Sequence, residues 1–272
     1  IDPGPANAAH LGAIERAAGE RRLAIAAIAV THGHPDHAPG AAPLAARTRA
    51  PVYAHRAARF AHDRVLTDDA LLEAGDSRLR ALEAPGHARD HLVFFWEVES
   101  ALFTGDVVVG RGTVVVAPPH GDMRAYQATL ARLRREFANA RRIYGGHGPP
   151  VDDPAAKLDE YLAHRIAREE EILGALSGGE RTIPELVAHV YRDVSIALWP
   201  AAARQVLAHL IALEREGRVR ARPLERKPSA EERALLSPDL AKLADRETAA
   251  LAAAELGLER EVSTLEAYSL VA

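Results

Sequence analysis

The sequence predicts a layered α/β domain followed by a smaller, mainly helical module. Short apolar strands alternate with amphipathic helices up to about residue 150, and helical periodicity predominates from Pro154 onward. The length of 272 residues also suits one large domain with a small one. We therefore expect residues 1–176 to form the α/β domain, residues 177–228 the helical module and residues 229–272 a helical extension.

Capping residues and apolar runs define the elements of the α/β domain. Asn7 is a suitable N-cap for a first helix and Gly19 a suitable stop. The apolar run from Leu23 to Val30 then predicts a buried strand. The further predicted elements are a helix at 40–47, strands at 51–54, 79–83, 92–96 and 101–103, a helix at 123–137 and a strand at 142–144.

The pattern of residues 154–176 predicts one long amphipathic helix. Thr182, with Glu185 three residues later, has the pattern of a capping box and opens a second helix. A third helix at 201–216 and an alternating strand at 218–222 follow. Helices followed by a small β element resemble a winged-helix module.

Composition excludes several classes of protein. The absence of cysteine rules out disulfides, thiolate metal ligands and a cysteine nucleophile, so any metal must be held by histidines and carboxylates. A net charge of -4 gives no general attraction to nucleic acid. No window approaches the roughly 18 apolar residues of a membrane span, and the first residues do not resemble a secretory signal. We expect a cytoplasmic protein without a membrane partner, whose oligomeric state the sequence leaves open.

The residues with the clearest chemistry form the segment Thr31-His32-Gly33-His34-Pro35-Asp36-His37. Burying three imidazoles and a carboxylate without partners would cost several kcal/mol, and a metal ion supplies the missing partner. Residues i and i+2 of an extended loop point the same way, so His32 and His34 can converge on one ion. Asp36 and His37 can face a second ion.

Three later sites complete a candidate ligand set, and each follows a predicted strand. His87 in Pro85-Gly86-His87 offers a third ligand for the first ion, Asp106 in Thr104-Gly105-Asp106 can bridge two ions, and His147 in Gly146-His147-Gly148 can bind the second. The glycines allow the backbone to turn sharply and approach an ion closely. Each site alone is a weak signal, but their order after the first segment makes coincidence improbable.

This order of motifs, HxHxDH, PGH, TGD and GHG, resembles the metallo-β-lactamase superfamily of hydrolases. The resemblance implies an αββα sandwich with two metal ions at one edge. It also implies His32, His34 and His87 on one ion, Asp36, His37 and His147 on the other, and Asp106 as the bridge. Asp2 resembles an early aspartate of the family that supports the site from outside the ligand set.

A narrower resemblance runs from Pro85 to about Val219 and points to the β-lactamase-like protein 2 group. It includes the pieces PGHxxDH, TGDxxxGxGT and GHGP. This resemblance implies a winged-helix-like C-terminal domain. Family members usually begin with strands before the early aspartate, so we expect the first sheet to lack its opening strands and to expose an edge.

The ligand set predicts metal-dependent hydrolysis. A divalent ion lowers the pKa of bound water toward ~7, and Asp36 and Asp106 are the catalytic candidates, Asp36 to orient the hydroxide and Asp106 to bridge the ions. Histidine and carboxylate ligands suit two zinc ions, and iron or manganese would also fit. His91 follows His87 by four residues in a predicted loop, so we expect it to support the ligands rather than bind metal.

The substrate is less clearly specified. His164, Arg165 and Arg168 on the long helix are candidate contacts for anionic substrate groups, and a solvated helix face explains them equally well. The first hypothesis is hydrolysis of a small-molecule ester, thioester or lactone. A second is a single-stranded RNA endonuclease, since residues 204–227 carry seven basic and three acidic residues, an excess of four. A third is a non-catalytic module that binds metal or nucleic acid.

Overall fold

The structure is a computed structural model that describes residues 1–75, 77–236 and 265–271. The chain forms two compact units, the first of Ile1–Val114 with Ala128–Tyr161 and the second of Val115–Gln127 with the described part of Leu162–Ala272. The division falls earlier than the expected boundary after residue 176. The reason is that the long helix contributes Ile172, Ala175 and Leu176 to the core of the second unit.

Two helices and eight strands lie entirely in the described part of the first unit. The helices are α1 (Ala8–Glu20) and α2 (Ala41–Thr48). The strands are β1 (Ile28–Ala29), β2 (Val52–His55), β3 (Arg64–Leu66), β4 (Leu71–Ala74), β5 (Ser77–Glu83), β6 (Leu92–Trp96), β7 (Ala101–Gly105) and β8 (Arg142–Gly145). Helices α3 (Met123–Glu136) and α4 (Pro154–Ser177) contribute residues to both units.

The strands form two sheets that pack face to face. One sheet has the order β1-β2-β3 and is parallel, and the other has the order β4-β5-β6-β7-β8, with only the β7–β8 pair parallel. Ala29 and Leu66 of the first sheet share a buried cluster with Phe94 of the second. Leu11 of α1 and Leu44 of α2 cover the outer face of the first sheet.

Helix α3 covers the outer face of the second sheet. The ring centroids of Phe137, at the end of this helix, and Phe95 in β6 are 4.7 Å apart. The predicted αββα layering is therefore confirmed. It places the carboxyl ends of β1, β7 and β8, and the loops that follow them, where polar side chains from both sheets can meet.

Local sequence signals account for most of these elements. The side chain of Asn7 accepts hydrogen bonds from the backbone amides of Ala9 and His10, at 3.0 and 3.1 Å, and caps α1 as predicted. The strand predicted from Leu23 to Val30 is much shorter, because only Ile28–Ala29 pair with β2 and Leu23 is 63% exposed. Strands β3 and β4 were not predicted.

The second unit is a small three-stranded sheet packed on helices. After the C-terminal part of α4, its elements are β9 (Arg181–Thr182), α5 (Ile183–Val190), α6 (Trp199–Arg215), β10 (Val219–Pro223), α7 (Ala230–Leu236) and β11 (Glu266–Leu270). The backbone amide of Thr182 donates to Glu185 at 2.7 Å, which confirms the capping box. By length and composition Ile196–Arg215 could cross a membrane, but half of this stretch is buried within the protein, as in an internal helix.

The end of the chain differs from the expected helical extension. Helix α7 is present, residues 237–264 lie outside the described residues, and Glu266–Leu270 form a strand. This strand lies between β9 and β10 and pairs antiparallel with both. Sequence periodicity missed it because its position in the sheet depends on partners far away in the chain.

Candidate metal centre

Seven polar side chains meet at the ends of strands in the first unit. His32, His34, Asp36 and His37 lie in the loop after β1, His87 between β5 and β6, Asp106 directly after β7, and His147 after β8. They form two groups in which the potential ligand atoms lie within 4.8 Å of one another. We call His32, His34 and His87 the imidazole triad, and Asp36, His37, Asp106 and His147 the mixed quartet.

The imidazole triad directs three ring nitrogens at one another. Nε2 of His32 lies 2.9 Å from Nδ1 of His34, and Nε2 of His87 lies 3.0 Å from the same atom. Burial and the neighbouring imidazole of His87 lower the pKa of His34 to about 3. The ring of His34 is therefore neutral at physiological pH, and its lone pair is available to a cation.

The mixed quartet combines two imidazoles with two carboxylates. Nε2 of His147 lies 3.1 Å from Asp36 Oδ2 and 3.4 Å from Asp106 Oδ2. Nε2 of His37 lies 3.4 Å from Asp36 Oδ2 and 3.5 Å from Asp106 Oδ1. Asp106 also approaches the triad, because its Oδ2 is 3.9 Å from Nε2 of His87. It is thus the residue that contacts both groups.

The residues present fit two divalent cations. Asp36 Oδ1, His37 Nε2 and Asp106 Oδ1 are buried and have no hydrogen-bond partner among the described residues. Such atoms carry a desolvation cost that a cation would remove. Ligands 2.0–2.1 Å from a tetrahedral ion lie about 3.3 Å apart, close to the separations in both groups. The nitrogen and oxygen donors, without thiolate, are those that zinc, iron and manganese accept.

A hydrogen-bond network built on Asp2 orients His37. Asp2 Oδ1 accepts from the backbone amide of Thr31 and Oδ2 from the Thr31 hydroxyl, both at 2.7 Å, and Oδ2 also accepts from Nδ1 of His37 at 2.9 Å. With its proton on Nδ1, His37 presents the lone pair of Nε2 to the quartet. Sequence reasoning gave Thr31 no role, although a hydroxyl just before the first ligand histidine was a usable signal.

The electrostatics of the quartet favour positive charge. Burial lowers the pKa of His37, but the neighbouring carboxylates of Asp106 and Asp2 outweigh it and raise the pKa to about 12. The neighbouring carboxylates of Asp106 and Asp36 likewise raise the pKa of His147 to about 10. Both imidazoles thus hold a proton strongly in the ion-free protein, which shows that the surrounding field stabilises a cation.

Two glycines make room for the centre. A Cβ on Gly146 would lie 2.4 Å from Asp106 Oδ1 and 2.7 Å from Cε1 of His37. A Cβ on Gly105 would lie 2.6 Å from the Thr31 hydroxyl, and Gly105 has a φ of +46°. Side chains at either position would displace the ligand residues.

His91 supports the ligands from behind and does not join either group. Its Nε2 accepts a hydrogen bond from the backbone amide of Asp106 at 3.1 Å, and its ring stacks on His32 at 4.6 Å. The bond requires Nε2 to be unprotonated, so the proton lies on Nδ1. This geometry favours the expected supporting role, which remains a prediction.

The three candidate substrate contacts belong to the second unit and have contacts there. Arg165 is fully buried, with its guanidinium 5.1 Å from the ring centroid of Tyr126. Arg168 donates to the backbone oxygen of Val190 at 2.9 Å and lies 3.5 Å from His164. These contacts support a packing role, and substrate contact by these residues remains a prediction.

Comparison with protein families agrees with this geometry. Residues 1–147 match the model described as the metallo-beta-lactamase superfamily. Residues 182–226 match the beta-lactamase associated winged helix domain. The first match spans more than half of the chain and includes all seven residues of the triad and quartet.

Individual proteins support the same assignment. A beta-lactamase-like protein 2 homolog of Caenorhabditis elegans is 32% identical over 80% of this chain and 75% of its own length. An atrochrysone carboxyl ACP thioesterase of Aspergillus chevalieri is 30% identical over 81% of this chain and 75% of its own length. A metallo-beta-lactamase family protein of Thermus thermophilus has a TM-score of 0.68 at 26% identity, with 81% of this chain and 86% of that chain covered. Both predicted resemblances are thereby confirmed: this chain belongs to the metallo-beta-lactamase superfamily of hydrolases and carries a beta-lactamase-associated winged-helix domain.

Proposed function

We propose that this hydrolase cleaves acyl thioesters at a two-metal centre formed by the triad and the quartet. The observation that carries the proposal is the position of Asp106, whose carboxylate contacts His87 of the triad and His37 of the quartet. A carboxylate shared between two complete ligand groups is what a pair of ions requires. The similarity to a protein named as an acyl-carrier thioesterase favours thioesters within the class of small esters, thioesters and lactones.

The triad would hold one ion and the quartet a second, with Asp106 between them. Zinc is the ion we propose for both positions, and iron or manganese would suit the same donors. When bound, two such ions supply a Lewis acid for the thioester carbonyl and lower the pKa of water toward ~7. Asp2 and His91 would keep His37 and Asp106 in the orientation that this requires.

Asp36 is placed to move the proton during hydrolysis. Burial raises its pKa, but the neighbouring imidazoles of His147 and His37 outweigh burial and hold the pKa well below its usual range. The carboxylate is therefore ionised at neutral pH and can accept the proton of the attacking water. As the oxygen of water bonds to the carbonyl carbon and the carbon–sulfur bond breaks, Asp36 can return this proton to the departing thiolate. The products are then a carboxylic acid and a thiol.

Partial exposure of His147 indicates where the substrate enters. Its side chain is 54% exposed, whereas the side chains of His37 and Asp106 are 3% and 6% exposed. The quartet is therefore open to solvent mainly on the side of His147 and to a smaller extent at Asp36, whose side chain is 24% exposed. We infer that the carbonyl group reaches the centre past His147.

The decisive experiment combines metal analysis with a substrate screen. Purified protein should contain close to two equivalents of zinc, iron or manganese by plasma mass spectrometry. It should hydrolyse acyl pantetheine thioesters faster than lactones or single-stranded RNA. Asp36→Asn should abolish turnover and should leave the metal equivalent of the triad in place, since Asp36 belongs only to the quartet. Full turnover by metal-free protein would refute the proposal.

The RNA hypothesis receives little support from the second unit. Arg218 pairs with Glu169 at 2.8 Å, Arg222 with Glu180 at 2.5 Å, and Arg226 with Glu232 at 2.7 Å. These pairs compensate the basic excess that prompted the hypothesis. Cleavage of single-stranded RNA therefore enters the substrate screen as the competing outcome. The non-catalytic hypothesis is disfavoured because both ligand groups are complete.

A further inference from the structure

Three loops around the metal centre each expose an arginine. The residues are Arg59, Arg89 and Arg111, which we call the arginine rim. Each lies within two residues of a position that contacts the ligand segments.

Arg59 and Arg89 flank the loop of the imidazole triad. A Cβ on Gly33, between His32 and His34, would lie 3.6 Å from the ring of Phe60 and 3.1 Å from Oδ2 of Asp90. Arg59 directly precedes Phe60, and Arg89 directly precedes Asp90. In two separate loops an arginine thus directly precedes a residue that approaches the same turn of the triad.

Arg111 lies on a loop that is fixed against the quartet. The backbone amide of Gly110 donates to the backbone oxygen of His147 at 2.8 Å. The buried hydroxyl of Tyr161 accepts from the amide of Val109 at 3.2 Å and donates to the oxygen of Gly112 at 2.8 Å. A Cβ on Gly110 would collide with the backbone of Pro149, so the two loops pack in direct backbone contact. The backbone of this loop is therefore fixed next to His147, and Arg111 is exposed on it.

Two rim arginines have no carboxylate partner among the described residues, a condition they share with Arg16 and Arg64 elsewhere in the first unit. Arg80, Arg132 and Arg142 pair with aspartates at 3.4, 2.8 and 2.6 Å. Arg59 and Arg111 have no hydrogen bond or ion pair among the residues that the structure describes. The guanidinium groups of Arg59 and Arg111 are therefore available for an external anion.

We propose that the arginine rim binds the phosphate of a phosphopantetheine arm whose thiol carries the acyl group. This inference rests on the proposed thioesterase function and names the handle of its substrate. Guanidinium groups bind phosphate oxygens in pairs through their planar N–H donors. A phosphopantetheine arm has its phosphate at one end and the thioester at the other, so phosphate at the rim leaves the carbonyl free to enter the centre. The arm occurs on acyl carriers and in coenzyme A.

A binding experiment tests the rim without hydrolysis. Zinc-loaded protein is titrated calorimetrically with S-methyl pantetheine and with S-methyl 4′-phosphopantetheine, which are thioethers that cannot be cleaved. The phosphorylated compound should bind about tenfold more tightly, as expected for one charge-assisted contact. Arg59→Gln and Arg111→Gln should each reduce this preference severalfold and leave the affinity for S-methyl pantetheine unchanged. Arg16→Gln, which removes an exposed arginine on α1, is the matched control and should keep the preference.

Kinetic measurements distinguish the two possible sources of the arm, an acyl carrier and coenzyme A. For acyl phosphopantetheinyl carrier and acyl coenzyme A, Arg111→Gln should raise KM and leave kcat unchanged, and for acyl pantetheine it should change neither. The source with the larger effect identifies the natural form of the arm.

The outcomes also distinguish this inference from the proposed function. Equal binding of the two thioethers, with thioesters still hydrolysed, would refute phosphate binding by the arginine rim and leave the proposed function intact. A phosphate preference that depends on Arg59 and Arg111, without thioester hydrolysis, would retain the rim and overturn the function. Cleavage of single-stranded RNA with the same arginine dependence would overturn the phosphopantetheine assignment in favour of RNA.

Discussion

At the scale of single residues, the centre is defined by which ring nitrogen each histidine presents. Asp2 accepts from Nδ1 of His37 and so keeps the proton on that atom. The backbone amide of Asp106 donates to Nε2 of His91, so the proton of His91 lies on Nδ1. The ligand atoms are thus oriented by groups that would not contact the ions. Because such partners set both the tautomer and the ring direction, their loss typically costs about 10–100-fold in metal affinity.

Asp106→Ala should remove most of the activity. Its carboxylate contacts both ligand groups, so the substitution removes a ligand from each ion and the group that sets their spacing. We expect the rate to fall by at least about 100-fold, the scale of losing one key electrostatic group, together with loss of at least one metal equivalent. His189→Ala, which changes an exposed histidine of the second unit, is the control. Equal losses in both variants would show a folding defect instead.

Gly146→Ala should disrupt the quartet without unfolding the protein. The added methyl would lie 2.4 Å from Asp106 Oδ1, well inside contact distance, so the carboxylate must move. We expect metal content to fall from two equivalents to about one, measured by plasma mass spectrometry, with circular dichroism unchanged. Gly174→Ala is the matched control, since a Cβ there meets nothing within 4 Å. If the first variant retains both ions, the quartet is not a metal site.

At the scale of helices and strands, local sequence signals were sufficient to predict an element where a capping residue or a long apolar pattern was present. The Asn7 cap and the Thr182–Glu185 box located the starts of α1 and α5 correctly. The short strands β3 and β11 lack such signals, because their pairing is determined by partners distant in sequence. The same limit applies to the site: spacing identified all seven candidate ligands, whereas the roles of Thr31 and the arginine rim depend on contacts that only the fold creates.

In the second unit the carboxylate of Glu169, whose side chain is 12% exposed, links several elements. Arg124 at the start of α3 donates to Glu169 of α4 at 2.5 Å, and Arg218 before β10 donates to it at 2.8 Å. Burial raises the pKa of Glu169, but the contacts with His209 and Arg124 outweigh burial and lower the pKa to about 2. Because the folded-state pKa is below the unfolded value, this carboxylate stabilises the fold above pH ~4.5 and the contribution is lost as pH falls toward 2.

Glu169→Gln should therefore destabilise the protein at neutral pH but much less in acid. We expect a loss of about 1–3 kcal/mol at pH 7, the scale of losing hydrogen bonds to a charged acceptor. Urea unfolding followed by circular dichroism at pH 7 and pH 3 measures the difference between variant and wild type. Glu170→Gln, which changes an exposed neighbour, should have no such effect. A difference that does not depend on pH would contradict the proposed role of the ionised carboxylate.

At the scale of the whole molecule, metal should stabilise one unit and not the other. Both ligand groups lie in the first unit, and the core of the second is a separate cluster formed by α4, α5 and α6. Ions that bind only the folded state stabilise it by about 2.7 kcal/mol when present at a hundred times their Kd. The loops of the triad and quartet should receive this stabilisation, since they contain the buried unpaired atoms.

Chelation followed by hydrogen exchange tests this expectation. Removing metal should accelerate amide exchange in residues 31–37, 86–91 and 104–106, and adding zinc should reverse the change. Exchange in α5 and α6 should stay the same in both states. Acceleration confined to the second unit, or none at all, would mean that the ions are not part of the stability of these loops.

The position of β11 affects when the second unit can fold during synthesis of the chain. Glu266–Leu270 are the central strand of the small sheet, so β9 and β10 have no partner until these residues have left the ribosome. The first unit can complete its two sheets earlier, since its last strand ends at Gly145. A nascent or truncated product that stops before residue 266 would expose two strand edges of the kind that recruit other chains and aggregate. Protein quality control should therefore remove such products, even though every candidate metal ligand has already been made.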